Sequence, residues 1–137
     1  MNPKRFWLAA VVIFVAFMVM DMIVHGVLLS GLYEETASAW RPEAEMQRLM
    51  PIMWVTTLVL AIMFVVIFLK GYENKGIAEG IRYGTYIGLL LSIPMSFGIY
   101  AICPILFRLA LYWFIASMVE MIIAGTLAAV LYRPREA

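Results

Sequence analysis

The chain has 137 residues, one domain's worth, of which 65% are hydrophobic and 14% charged. A mean hydropathy of +0.95 is too high for a soluble core wrapped in polar surface, so the composition points to a membrane protein. The formal net charge is +1, with no basic tail or acidic block, which argues against a nucleic-acid partner, and the lone Cys103 has no internal disulfide partner.

The N-terminus, "MNPKRFWLAAVVIFVAF", has the basic start and apolar body of a secretory signal, and Ala37-Ser38-Ala39 resembles a cleavage site. The apolar run is too long for a signal core, however, and Glu34 and Glu35 separate it from that tripeptide. The first span, Phe6–Ser30, is therefore expected to stay as an anchor. It carries an acid and an imidazole inside the apolar run, in "MVMDMIVHGVLLSGLY", where Asp21 and His25 stand four residues apart. That spacing puts both on one helix face.

The connection that follows, "YEETASAWRPEAEMQRLMP", predicts a short helix over about 42–50. Pro42 opens it, Glu43 and Glu45 suit its positive end, and Met46, Leu49, Met50 and Met53 recur at helical spacing. Such a helix would lie on the outer membrane surface or cap the bundle. The second span is Pro51–Leu69 and carries Thr56 and Thr57 near its outer end. A short polar connection, Gly71–Gly80, leads to the third span, Ile81–Ile102. There Gly80, Gly84, Gly88, Ser92 and Ser96 recur every four residues, a ridge of small side chains that admits a close neighbour, either within the chain or in a homodimer. Pro94 interrupts the same span and frees the carbonyl of Leu90 to line a cavity. The fourth span, Leu109–Tyr132, follows the connection Cys103–Arg108 and carries Ser117 and Glu120.

These elements predict an all-α fold: a single antiparallel bundle of four transmembrane helices with a short amphipathic interfacial helix. Lys4, Arg5, Lys70, Lys75, Arg82, Arg133 and Arg135 would lie on one side, against Arg41, Arg48 and Arg108 on the other. That bias places both termini in the cytoplasm. Trp7, Tyr72 and Tyr132 then suit the inner interface, and Tyr33, Trp40, Trp54, Tyr100, Tyr112 and Trp113 the outer one.

At about 1.5 Å per residue, His25 lies roughly 8 Å and Asp21 roughly 14 Å below the outer end of the first span, and Glu120 roughly 17 Å below Leu109. Ionisable groups at such depth cost about 3 kcal/mol or more and face a bundle interior or a wet cavity. Asp21, His25, Glu120, Ser92, Ser96 and Thr56 are therefore candidates for an outward-half pocket that takes a proton, a cation or a polar head group. The same three ionisable groups are the weak candidates for a metal, since a single histidine and no Cys-x-x-Cys or His-Glu-x-x-His leave any zinc site incomplete. Met18, Met20, Met22, Met50, Met53, Met95 and Met118 offer soft ligands for copper but serve equally as core filler. No triad spacing and no phosphate-binding loop appears, so an enzyme is the less favoured reading, and no cofactor is implied. The alternative to a binding or transport-related pocket is a structural accessory subunit of a larger membrane complex; a lipid-modifying enzyme is third.

The stretches "DMIVHGVLLSGLY", "WRPEAEM", "EGIRYGTYIGLL" followed by Pro94, and "MIIAGTLAAVLYRP" resemble a group of small uncharacterised bacterial inner-membrane proteins with four helices. The resemblance implies the four-helix architecture and an inner-membrane location. It brings no activity and no site residues.

Overall fold

A computed structural model describes residues 2–132 of the chain. Arg133 and Arg135, counted in the charge bias, lie outside the described residues. Among the described residues all regular structure is helical. The order is α1 (Pro3–Ile23), a π-helical turn (Val24–Leu28), α2 (Ser30–Glu35), a 3-10 turn (Ala37–Ala39), α3 (Glu43–Lys70), α4 (Ile77–Ile102) and α5 (Phe107–Leu131). Four stretches, Pro3–Leu28, Glu43–Lys70, Ile77–Ile102 and Phe107–Leu131, are long and apolar enough to cross a bilayer, the pattern of a multi-pass membrane protein. Their outward faces agree with that: Trp7, Val11, Val15, Ile52, Val55, Tyr86, Leu90 and Ile115 are all exposed.

The helix expected over about 42–50 is not a separate element. Residues 43–50 are the first turns of α3, which runs unbroken through Pro51. Proline there removes one backbone bond, to the carbonyl of Gln47, and the helical apolar spacing from Met46 to Met53 carries on across it. The capping role falls to residues 29–40 instead. Leu29, Leu32, Tyr33, Ala39 and Trp40 pack with Ile105, Leu109 and Ala110 at the turn between α4 and α5. Arg108, at the start of α5, pairs with Glu35 of α2 and fastens this cap.

The tightest helix contact joins α4 to α5. Gly80, Gly84, Gly88, Ser92 and Ser96 are all buried. A Cβ built on Gly84 would stand 2.8 Å from Ile122 Cα, one on Gly88 2.9 Å from Met118 Sδ, and one on Gly80 2.8 Å from Ala129 Cβ. From α5, a Cβ on Gly125 would stand 2.9 Å from Gly84 N. Partner numbers fall along α5 as they rise along α4, so the two helices run in opposite directions. The ridge read from the sequence is thus filled within the chain.

Helix α1 packs on both α3 and α5. Its buried stripe, Phe6, Ala9, Ala10, Ile13 and Phe17, meets Ala61, Phe64, Val65 and Phe68 of α3 and Ala124 and Ala128 of α5. Tyr83 of α4 donates to the carbonyl of Phe64 at 2.6 Å and tethers α4 to α3. The N-terminal end of α1 is capped by Asn2, which accepts from Lys4 N at 3.1 Å and whose own N–H donates to Tyr132 Oη at 3.2 Å. Tyr132 in turn meets the ring of Tyr72 edge-on, with centroids 5.7 Å apart.

The turn between α3 and α4 is built on two carboxylates. Buried Glu79 accepts from the backbone N–H groups of Glu73 at 2.6 Å and Lys75 at 2.8 Å. Asn74 and Gly76 supply the positive φ values, 57° and 71°, that the chain reversal needs. Exposed Glu73 pairs with Lys75 at 2.6 Å and Arg82 at 2.7 Å. The hydrogen bonds from Lys75 and Arg82, then their charges, hold its carboxyl down at about 2.

Two outcomes follow. Gly84→Leu should lower stability by about 1–3 kcal/mol by forcing α4 off α5, whereas Gly98→Ala, with nothing within 4 Å of its Cβ, should be neutral or slightly stabilising; thermal unfolding of the two variants in one detergent checks this. Glu73 should stay ionised as pH falls through the ordinary value of 4.5, and its support for the turn should fade only towards about pH 2. A carboxyl carbon-13 titration should show that late midpoint, moving back up in Arg82→Ala.

Candidate functional site

Helix α1 sets the depth of the acid. Its buried stripe steps from Phe6 through Ala10, Ile13 and Phe17, and the next position on that face is Asp21. The α-helix ends two residues later, and the backbone widens. Leu29 N–H donates to the carbonyl of Val24 at 2.9 Å, five residues back, which is the π-helical bond. His25 sits inside that turn.

His25 and Asp21 remain paired across the change, with Nε2 and Oδ1 3.7 Å apart. On its other side the ring meets Tyr33 of α2, Nδ1 to Oη, at 2.5 Å. Tyr33 Oη also accepts from the indole N–H of Trp113 in α5 at 2.7 Å. The assignment that uses every donor has Tyr33 giving its proton to Nδ1, which leaves the neutral ring's proton on Nε2, facing Asp21. A chain of polar atoms therefore runs from Asp21 through His25 and Tyr33 to Trp113, joining α1, α2 and α5. The rings of Tyr33, Trp40 and Trp113 close around its far end, with centroids 5.6 to 6.3 Å apart. Burial, with the Asp21 charge adding to it against the indole hydrogen bond, pushes the Tyr33 phenol up to about 12, so it keeps its proton at any physiological pH.

Glu120 stands apart from this chain but next to it. It is 8% exposed, and it makes no hydrogen bond to another described residue. Asp21 lies within its electrostatic reach. Glu120 lines a groove of about 590 Å³ between α1 and α5, whose other walls are Met20, Ile23, Val24, Leu28 and Leu29 on one side and Tyr112, Ile115, Ala116, Val119 and Ile123 on the other. One carboxyl thus sits in an otherwise apolar trough. Asp21 and His25, 40% and 43% exposed, border that region without being enclosed.

The other sequence candidates lie elsewhere. Ser92 and Ser96 are buried on the α4 face that carries the glycine ridge, and neither lines the groove. Ser92 Oγ has no hydrogen-bond partner there. Thr56 is exposed and donates to the carbonyl of Met53 in its own helix, at 2.8 Å. The Leu90 carbonyl and Pro94 are likewise absent from the walls of this groove. Among the described residues no three His, Cys, Asp or Glu side chains group at metal-binding distance, so Asp21, His25 and Glu120 do not converge as a ligand set. The methionines are dispersed too: Met20 lines the groove, Met118 meets Gly88, and Met22, Met53 and Met95 point outward.

Tyr33 and Trp113 were legible only as interface aromatics. Their separation of 80 residues hides the bond between them, and the π turn that aims His25 at Tyr33 has no sequence signature beyond Gly26 beside it.

No family model matches the chain, and neither the curated proteins nor the solved structures contain a significant match to it. A functional reading therefore rests on the site's own geometry.

Tyr33→Phe removes the acceptor of Trp113 and the partner of His25 together. It should cost about 1–3 kcal/mol of stability and move the Trp113 indole N–H resonance, while that of Trp40, bonded to Thr36 at 3.0 Å, keeps its hydrogen-bonded shift.

Proposed function

We propose that this chain is a small multi-pass protein of a bacterial inner membrane, an antiparallel four-helix bundle with both termini in the cytoplasm. Its outward half holds a site that binds a proton, a cation or the polar head group of a small ligand or lipid, in a transport-related role. Glu120 supplies the buried carboxyl, which gives up its proton as a cation arrives. Asp21 and His25 take up or pass a proton beside it, with Tyr33 as the neutral hydrogen-bonding partner of the ring. The observation that carries this reading is the carboxyl of Glu120: buried, without a hydrogen bond from the described residues, and opening on a groove next to Asp21. A carboxyl held at that depth without a built-in partner is costly and suits a partner that comes and goes.

A second reading has its own support. From Glu43 to Leu60, α3 is exposed or half-buried throughout, and its buried residues begin at Ala61. Ile52, Met53, Trp54 and Val55 face away from the other helices. A subunit of a larger complex, or a homodimer, would cover that half. Co-purification of a stoichiometric partner from native lipid would favour it.

The first reading is tested on the single histidine. With nitrogen-15 histidine in phospholipid nanodiscs, His25 gives the one imidazole signature in the chain. Added ethylammonium or sodium should shift its ring signals saturably, and Asp21→Asn should blunt the response while leaving the unfolding midpoint close to wild type. Ring signals indifferent to both cations would remove the binding site and leave the structural subunit.

A further inference from the structure

The groove's walls say more about an occupant than its acid does alone. Ten of its eleven lining residues are apolar or aromatic, and the remaining one is Glu120. A hydrated ion has no use for such walls. From Tyr112 to Ile123 the α5 side runs about 16 Å along the helix axis, so the trough suits a slender molecule lying along it. Inside a bilayer, however, an apolar chain gains little by leaving lipid tails for leucine and isoleucine, which are equally apolar. Selection must come from the one polar contact. Asp21 is the charged neighbour in electrostatic reach of Glu120, and it too is an acid. No Lys or Arg lines the groove. The charge complement is therefore a single cation that can also donate hydrogen bonds to a carboxylate.

We propose that the groove between α1 and α5 binds a lipophilic monocation, an amine on a slender apolar body, with its ammonium group on Glu120 and its body between Val24–Leu28 and Ile115–Val119. This rests on the reading that Glu120 belongs to the site, and it names the ligand class. Ala116 sets the width: it is small, half-buried and one helical turn outward of Glu120 on the same wall. An alcohol of the same length fits the walls but lacks the charge, and a carboxylate of that length brings a negative charge where no Lys or Arg lines the groove.

The test uses the full chain in phosphatidylcholine nanodiscs with radiolabelled decylamine. Saturable binding of one molecule per chain above empty-disc uptake is expected. 1-Decanol should compete at least ten-fold more weakly, and decanoate weaker still. Glu120→Gln should lower decylamine affinity at least ten-fold, to near that of the alcohol. Ala116→Phe, which fills the trough and leaves the carboxyl in place, should weaken both probes. The amine–alcohol comparison needs no variant, so it stands whether or not Glu120→Gln folds. Uptake equal to that of empty discs, equal competition by decanol, or a folded Glu120→Gln with unchanged affinity would overturn the proposal. If ethylammonium shifts the His25 signals while decylamine finds no saturable site, the groove proposal falls and the cation-site reading stands. If neither amine gives a response, both fall.

Discussion

Everything in this fold is positioned by the backbone-to-backbone seam between α4 and α5. Gly80, Gly84, Gly88 and Gly125 remove the side chains that would hold the two helices apart, and α5 is fixed in rotation as a result. The Cβ of Met121 faces Gly88 across the seam, so its neighbour Glu120 must point about 100° away from it. That direction is the flank facing α1. The acid is thus aimed largely by glycines on another helix. In lipid, where apolar burial offers little drive to association, such close approach is the available source of packing energy.

The second half of the site is aimed by a different device. Helix α1 brings Asp21 in on the same stripe as Phe17 and Ile13, and then the π turn redirects His25 to Tyr33. The cap, fastened by the pairing of Arg108 with Glu35, holds Tyr33 against Trp113. Two supports therefore meet at the groove: the glycine seam behind Glu120, and the aromatic cap above His25. The polar chain of the cap and the lone acid of the trough are adjacent: His25 and Tyr33 in the first are bonded to one another, and the carboxyl of the second has no hydrogen bond from the described residues.

The sequence carries the large-scale order well, because apolar runs of bilayer length and a four-residue glycine period are strong signals. The seam along Gly80–Ser96, the shared face of Asp21 and His25, and the burial of Glu120 all follow from helical spacing. What it hides is pairing at a distance. The bond between Tyr33 and Trp113 and the choice of α5 over α4 as the groove's second wall depend on how whole helices rotate, which no local pattern records. Ser92 and Ser96 looked like pocket residues because they are polar at the right depth, yet they share a face with glycines and so go to the seam. Thr56 bonds back to its own helix, as threonine commonly does in apolar surroundings. Pro51 misled for a related reason: proline is read as a helix start, but a helix with satisfied neighbours passes through it.

The widened turn at His25 holds one surplus residue in the ladder of α1. The bond from Leu29 to the carbonyl of Val24 keeps that surplus in place. Expelling it would wind the segment back to ordinary pitch and rotate everything before it by about 100° relative to α2. Asp21 would then swing off the flank of Glu120, and the imidazole would lose its reach to the phenol. The meeting of Asp21, His25 and Tyr33 is thereby tied to the pitch of one helical turn.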